Sequence, residues 1–277
     1  MALNFTKLKK RPLVFKQLSG LGIKEFEEVV ERIREAWEKR EAQKKCDGRS
    51  SHLATLEDKV LCLLIYYRTY ISQFFLGYLF NLHSSNVSRL FKKLEPLLAK
   101  KTAIKKNREL TSDKVLELLV DVTEQRTQRP KNNQDRRKSY SGKKKACTIK
   151  TEIVIEKNGK IVSISKSHKG RTHDFRIRKE EKILPPSAIK YADSGYQGFQ
   201  KIQSQVVIPY KRYRKKPLTL EQKEHNKALA SFRMKVENKF RELKIFKILA
   251  DVYRNFQKKY PMRFNSIAGL VNLKHGF

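Results

Sequence analysis

Three carboxylates, far apart along the chain, have the local settings that metal-assisted phosphoryl chemistry needs. Asp193 ends a short apolar run (Ala188, Ile189, Tyr191, Ala192) and opens the turn Ser194-Gly195-Tyr196-Gln197-Gly198. That pattern predicts a buried strand with an acid at its C-terminal tip, where the following loops build sites. A lone Asp before Ser-Gly also stabilises a turn through its own side chain, so Asp193 gains meaning only from partners. Asp121 lies in or at the end of another apolar run, 72 residues earlier, and Glu237 follows 44 residues later on a helical stripe. Three hard oxygen donors in one place suit Mg2+, which takes a few carboxylates and keeps water and phosphate as its other ligands. Two such ions about 3.5–4 Å apart clamp the attacking and leaving oxygens of an in-line phosphodiester displacement.

The elements that must position these acids are legible in the pattern. Residues 115–122 are almost continuously apolar up to Asp121-Val122-Thr123-Glu124, as expected of a central strand buried on both faces. Residues 125–145 carry nine Lys or Arg against the single acid Asp135, which predicts an exposed basic loop. Strands over 148–155 and 161–165 flank Asn158-Gly159, the signature of a hairpin with a type I′ turn. His173-Asp174 opens a helix expected to reach Ile183, stopped by Pro185-Pro186; the Asp193 strand follows, then Val206-Val207-Ile208 as another. A second basic loop, residues 210–216, interleaves Tyr210 and Tyr213 with cations that include Arg212 and Arg214.

Thr219 and Gln222 form a capping box for a long helix expected to run at least to Phe246. Its buried stripe is Phe232, Val236, Phe240 and Leu243, and Arg233, Glu237 and Lys244 form a second stripe beside it. Glu124 and Glu242 compete as third acid, but Glu242 lies about 140° around the helix from Glu237, so both cannot face one metal. Strand-strand-strand-helix-strand-helix, with aspartates on the first and fourth strands, is the order of a ribonuclease-H-like α/β fold, a mixed sheet flanked by helices.

The formal charge is +35, from 63 basic and 28 acidic residues in 277. Such a field is costly through self-repulsion and argues for a polyanionic partner, nucleic acid above all. No apolar run approaches the roughly 18 residues of a membrane span, so no membrane partner is expected. Cys46, Cys62 and Cys147 have no zinc spacing and read as reduced thiols of a cytoplasmic protein.

Ahead of the strands the pattern is all-α. Residues 1–50 form a charged helical segment whose Phe26, Val29, Val30, Ile33 and Trp37 make one apolar stripe. Within 51–107, Leu56 to Tyr70 is an apolar helix. Ser72 caps a second with Phe75, Leu76 and Leu79 inward, and Ser84 or Ser85 caps a third with Val87, Leu90, Phe91 and Leu94 as its core face. Two helices, a tight turn and a third helix match a helix-turn-helix DNA-binding domain, with Arg89 and Lys92 on the outer face to meet a base edge or phosphate.

Five stretches in order resemble the DDE-type transposases of bacterial insertion sequences, in the branch with a helix-turn-helix ahead of the catalytic domain. They are Asp121 to Glu124, Tyr140 to Lys145, Gly170 to Asp174, Asp193 to Gly198, and Arg233-x3-Glu237-x6-Lys244. The resemblance implies a catalytic domain over 113–277, with Asp121, Asp193 and Glu237 as metal-binding catalytic acids. It implies Mg2+, with Mn2+ as a substitute and two ions as the number, and Arg233 and Lys244 contacting DNA near the scissile phosphate. The basic loops, including Lys143, Lys144, Lys145, Arg212 and Arg214, would grip phosphates of terminal inverted repeats and target DNA. Synapsis of two ends implies a homodimer or higher assembly, associated with the nucleoid. Related transposases often carry a Tyr three residues before the Arg; Ala230 stands there in this chain. The rival expectation is a decayed or domesticated transposase that binds DNA without cutting it.

Overall fold

The computed structural model describes residues 3–43, 51–104, 117–212 and 217–277, and the chain forms two compact units. The helical unit begins with α1 (Phe5–Lys9), α2 (Pro12–Ser19) and α3 (Ile23–Ala42). The buried side of α3 is the expected stripe of Phe26, Val29, Val30, Ile33 and Trp37. Phe26 stacks on Phe5 with ring centroids 5.0 Å apart and meets Phe15 edge-on at 5.1 Å.

Three helices follow: α4 (Leu56–Thr69), α5 (Gln73–Phe80) and α6 (Ser84–Thr102). Ser72 caps α5 by accepting from the Phe75 amide at 3.1 Å. At the start of α6 the cap is His83, whose Nδ1 accepts from the Ser85 amide at 3.3 Å, so neither Ser84 nor Ser85 holds that place. The inward face of α5 also differs from expectation. Leu76 and Phe80, one turn apart, are buried, while Phe75 is half exposed. An eight-residue helix offers one narrow buried face, and that pair occupies it. On α6, Val87, Phe91 and Leu94 are buried and Leu90 partly so.

The α/β unit contains β1 (Glu117–Arg126), α7 (Asn133–Ser139), β2 (Tyr140–Ser141), β3 (Ala146–Glu156), β4 (Ile161–Ile164), β5 (His168–Lys169), α8 (Asp174–Glu180), β6 (Ile189–Ala192), β7 (Val206–Val207) and α9 (Leu220–Lys244). The sheet is mixed, in the order β2-β3-β1-β6-β7 with β4 and β5 also on β3. β1 runs antiparallel to β3 and parallel to β6, which runs parallel to β7. Leu118, Val120, Val154, Ala192, Tyr196 and Phe199 belong to one apolar cluster, with Val122 and Phe175 against it. Leu118, Leu119 and Val120 are all buried, as a central strand requires; Val115 and Leu116 lie outside the described residues.

Three local expectations change. Residues 125–145 are not one open loop: β1 reaches Arg126, and α7 and β2 occupy 133–141, with Asp135 at the start of α7 paired with Lys169. The hairpin is not type I′, which needs positive φ at both central residues. Only Gly159 has it, at +93°. The Gly159 amide donates to the Glu156 carbonyl at 2.8 Å and the Glu156 amide to the Lys160 carbonyl at 2.9 Å, a type I turn followed by a glycine bulge. Finally, α8 ends at Glu180 and leaves Ile183 exposed.

The capping box of α9 is reciprocal: the Thr219 amide donates to Gln222 Oε1 and the Gln222 amide to Thr219 Oγ1, both at 3.2 Å. The helix stops at Lys244 rather than passing Phe246. The chain then enters α10 (Lys247–Ala250) and α11 (Tyr260–Lys274). These two helices belong to the helical unit, which comprises Met1–Ala103, Leu243–Asp251 and Gln257–Phe277. The stretch 113–277, expected as one catalytic domain, is therefore shared between the units. In the helical unit, buried Glu95 of α6 accepts from Arg263 Nε at 2.7 Å and Lys259 Nζ at 3.1 Å. A buried carboxylate needs such partners.

Candidate active site

The parallel ladder between β1 and β6 ends at Val120↔Ala192. One residue further on each strand come Asp121 and Asp193, so two carboxylates occupy adjacent positions on strands about 4.8 Å apart. Asp121 Oδ1 accepts from the Val122 amide at 2.7 Å. Asp193 caps the turn after β6, its Oδ1 accepting from the Gly195 amide at 2.7 Å. The turn residue and the candidate ligand are thus the same side chain. At Gly198 φ is +96° and an added Cβ would lie 2.9 Å from the Phe175 ring, while a Cβ on Gly195 would lie 2.9 Å from Asp193 Oδ1. Glycine lets this turn close beside the acids.

The turn is tied to the sheet from beneath. Tyr196, fully buried, donates its hydroxyl to Glu152 Oε2 at 3.0 Å, and Arg178 Nη1 holds Glu152 Oε1 at 2.7 Å. Burial raises the Glu152 carboxyl to about 7 against the pull of Arg178.

Asp121 is also raised to about 7, first by burial and next by the like charge of Asp193; Arg233 opposes the shift and Asp174 adds to it. Asp174 opens α8 and pairs with Lys150 Nζ at 2.8 Å. The sequence marks it as a helix start and as the last residue of one of the five resembling stretches, without assigning it to the site. Its place in Gly170-Arg171-Thr172-His173-Asp174 was the available signal, but spacing alone does not bring α8 to Asp121 and Asp193.

Helix α9 reaches the sheet through Phe232, which stacks on Tyr191 of β6 with centroids 4.6 Å apart and planes 11° from parallel. Tyr191 pairs with Leu119, two residues before Asp121 on the same face, which brings the neighbouring Arg233 within electrostatic reach of Asp121. Glu237 is exposed. Its neighbours in α9 lie against the hairpin turn: Lys235 Nζ donates to the Lys157 carbonyl at 3.4 Å, and Lys239 flanks Gly159. Of the other acids, Glu124 accepts from Thr148 Oγ1 at 2.6 Å and Glu242 pairs with Lys239 at 2.9 Å. Among the described residues no three His, Cys, Asp or Glu side chains come together closely enough to hold a metal ion.

Residues 120–272 match the family model described as DDE superfamily endonuclease, and residues 51–104 match that of its helix-turn-helix. The chain belongs to the DDE superfamily endonucleases. It is 37% identical over 264 residues to a probable transposase for insertion sequence element IS702 from Microchaete diplosiphon, covering 93% of both chains. It is 30% identical over 237 residues to a putative transposase for insertion sequence element IS112 from Streptomyces albus G, covering 84% of each. No solved structure matches. Endonucleases of this superfamily generally depend on a divalent metal.

The donor set of this DDE chain fits a divalent cation at two positions. Asp121 and Asp193 are oxygen donors just past the last paired residues of two adjacent parallel strands, and the repulsion Asp193 exerts on Asp121 is what a cation would relieve. The expected DNA-contacting cations fall in several places. Arg89 and Lys92 are exposed on α6 of the helix-turn-helix, with Arg89 Nη2 donating to Ser85 Oγ at 3.3 Å. Lys143, Lys144 and Lys145 are exposed between β2 and β3, Arg212 is exposed, and Lys244 is exposed at the end of α9. Arg214 lies outside the described residues. No helix among them is long and apolar enough to cross a membrane.

Proposed function

We propose that the protein is a metal-dependent transposase that cuts double-stranded DNA at the ends of its insertion element and joins the freed 3′-hydroxyl to target DNA. The observation that carries this reading is the Asp121–Asp193 pair on adjacent parallel strands, sharing one electrostatic field. These two side chains would hold Mg2+, or Mn2+ in its place, with Glu237 as the third ligand one helical turn beyond Arg233. When bound, the metal would neutralise the phosphate, activate the attacking water and stabilise the leaving oxygen.

The rest of the work is positioning and charge. Asp121 must be ionised to act as a donor, and because burial beside Asp193 makes it a weaker acid, its readiness depends on a cation. Arg233, already acting on Asp121, would stand beside the scissile phosphate. The Glu152–Tyr196 bond holds the Asp193 turn in place. Exposed cations of α6 and of the β2–β3 turn would take duplex phosphates, and the assembly would be a dimer or larger in the cytoplasm, on the nucleoid.

A second reading, a family member that binds DNA without cutting it, is favoured by one observation: no three-acid cluster forms among the described residues. Incubation with a labelled duplex carrying the inverted repeat of the element separates the two. Mg2+-dependent nicking and joining supports the transposase; retention of the duplex without either supports the binding protein.

A further inference from the structure

A concave site lies just beyond the C-terminal end of β1. Thr127 follows the strand, six residues beyond Asp121, on the order of 20 Å along an extended chain. It lines a cavity of about 750 Å3 whose cations are Arg129, Arg136, Arg137, Lys145 and Arg171, with no carboxylate in the lining. Those five side chains form no ion pair among the described residues. The floor is of another kind: Ala146, buried Cys147 and the ring of Tyr140, which is 47% exposed. Thr127 is 7% exposed, and its Oγ1 is buried without a hydrogen-bond partner. A buried hydroxyl left unpaired costs about 1–3 kcal/mol, and this one belongs to a residue that lines the cavity.

In a duplex the base faces are stacked on one another and cannot lie flat on an aromatic ring in such a cavity. A single nucleotide unit has the complementary chemistry. Its base offers a flat face for an aromatic ring, its edge a polar atom for a hydroxyl, and its phosphate a match for guanidinium forks. We propose that this cavity binds an unpaired nucleotide of a DNA strand, with the base against Tyr140 and Thr127 and the phosphate held by the arginines. The proposal rests on DNA being the substrate, and it places a strand-holding site apart from the acids.

The test uses the full chain in EDTA, so that binding is read without cleavage, by anisotropy of labelled oligothymidylate and of a duplex of equal length. Tyr140→Ala is expected to weaken single-strand binding about tenfold, as loss of one stacked base implies, and to leave duplex binding within twofold. Tyr140→Phe should restore the single-strand affinity, and Thr127→Val should weaken it severalfold. Equal losses on both DNAs, or no loss on the single strand, would overturn the proposal. So would competition by free thymidine monophosphate at the oligonucleotide's own concentration, which would make the site one for mononucleotides. Wild-type protein that binds neither DNA would instead sink the DNA-directed function itself.

Discussion

Replacing Asp193 by Asn should change how stability depends on pH, because Asp193 is one of the two main reasons Asp121 is hard to ionise. The sign follows from Asp121 sitting near 7 in the folded chain against an ordinary 3.8. The folded state binds that proton more tightly than the unfolded chain, so the contribution to stability is complete below about pH 4 and is lost as pH rises through 7. At 1.36 kcal/mol for each tenfold change in acidity, the whole effect is about 4 kcal/mol. Burial is the larger cause and remains in the variant; only the like-charge part disappears. Urea unfolding followed by circular dichroism in EDTA should therefore show wild-type stability falling between about pH 4 and 7, with a smaller fall in Asp193→Asn. Glu152, also near 7, contributes equally to both curves and cancels in the comparison. Added Mg2+ should flatten the wild-type curve by holding both carboxylates ionised. Superimposed wild-type and variant curves would refute the claim that the two acids share a field.

Arg263→Met removes the buried partner of Glu95, which is 0% exposed, and leaves it only the partly exposed Lys259; the undercompensated charge should cost up to about 3–5 kcal/mol in urea unfolding, and Arg263→Met with Glu95→Leu should recover most of it. Tyr196→Phe deletes one hydrogen bond to a buried carboxylate and should cost about 1.5–3 kcal/mol, while slowing cleavage because the Asp193 turn loses its tie to Glu152. Replacing Lys143, Lys144 and Lys145 by Gln should reduce the slope of log binding constant against log salt by about 0.9 for each lost phosphate contact; an unchanged slope would take that turn out of the interface.

Much of the fold was legible because local chemistry and tertiary demand agree. The stripe from Phe26 to Trp37 is buried as its 3.6-residue period requires, and Thr219 and Gln222 bond each other as a capping box should. The strands that carry the acids were legible for the same reason: Leu118 to Val120 and Ile189 to Ala192 announce them, although only β6 stops at its aspartate while β1 runs on past Asp121 to Arg126. What escaped depends on side chains competing for one place. His83 takes the α6 cap because its ring nitrogen reaches the Ser85 amide, which a ranking of Ser over His does not foresee. Asn158 keeps negative φ because one extra residue turns the hairpin through Gly159 alone. Asp174 and the cavity at Thr127 arise from long-range packing of α8, α7 and β2, which no periodicity encodes. Glu237, assigned from its spacing to Arg233 and Lys244, stands exposed beside the hairpin contacts of α9, so its role as third ligand rests on the family pattern.

Cleavage of an end-labelled inverted-repeat duplex by Asp121→Asn, Asp193→Asn and wild type, in Mg2+ and in EDTA, addresses the central claim most directly. Wild type should nick the duplex only with metal, and each aspartate variant should lose at least a hundredfold in rate while binding the same duplex with wild-type affinity. Undiminished Mg2+-dependent nicking by Asp193→Asn would contradict the assignment of this carboxylate pair as the catalytic centre.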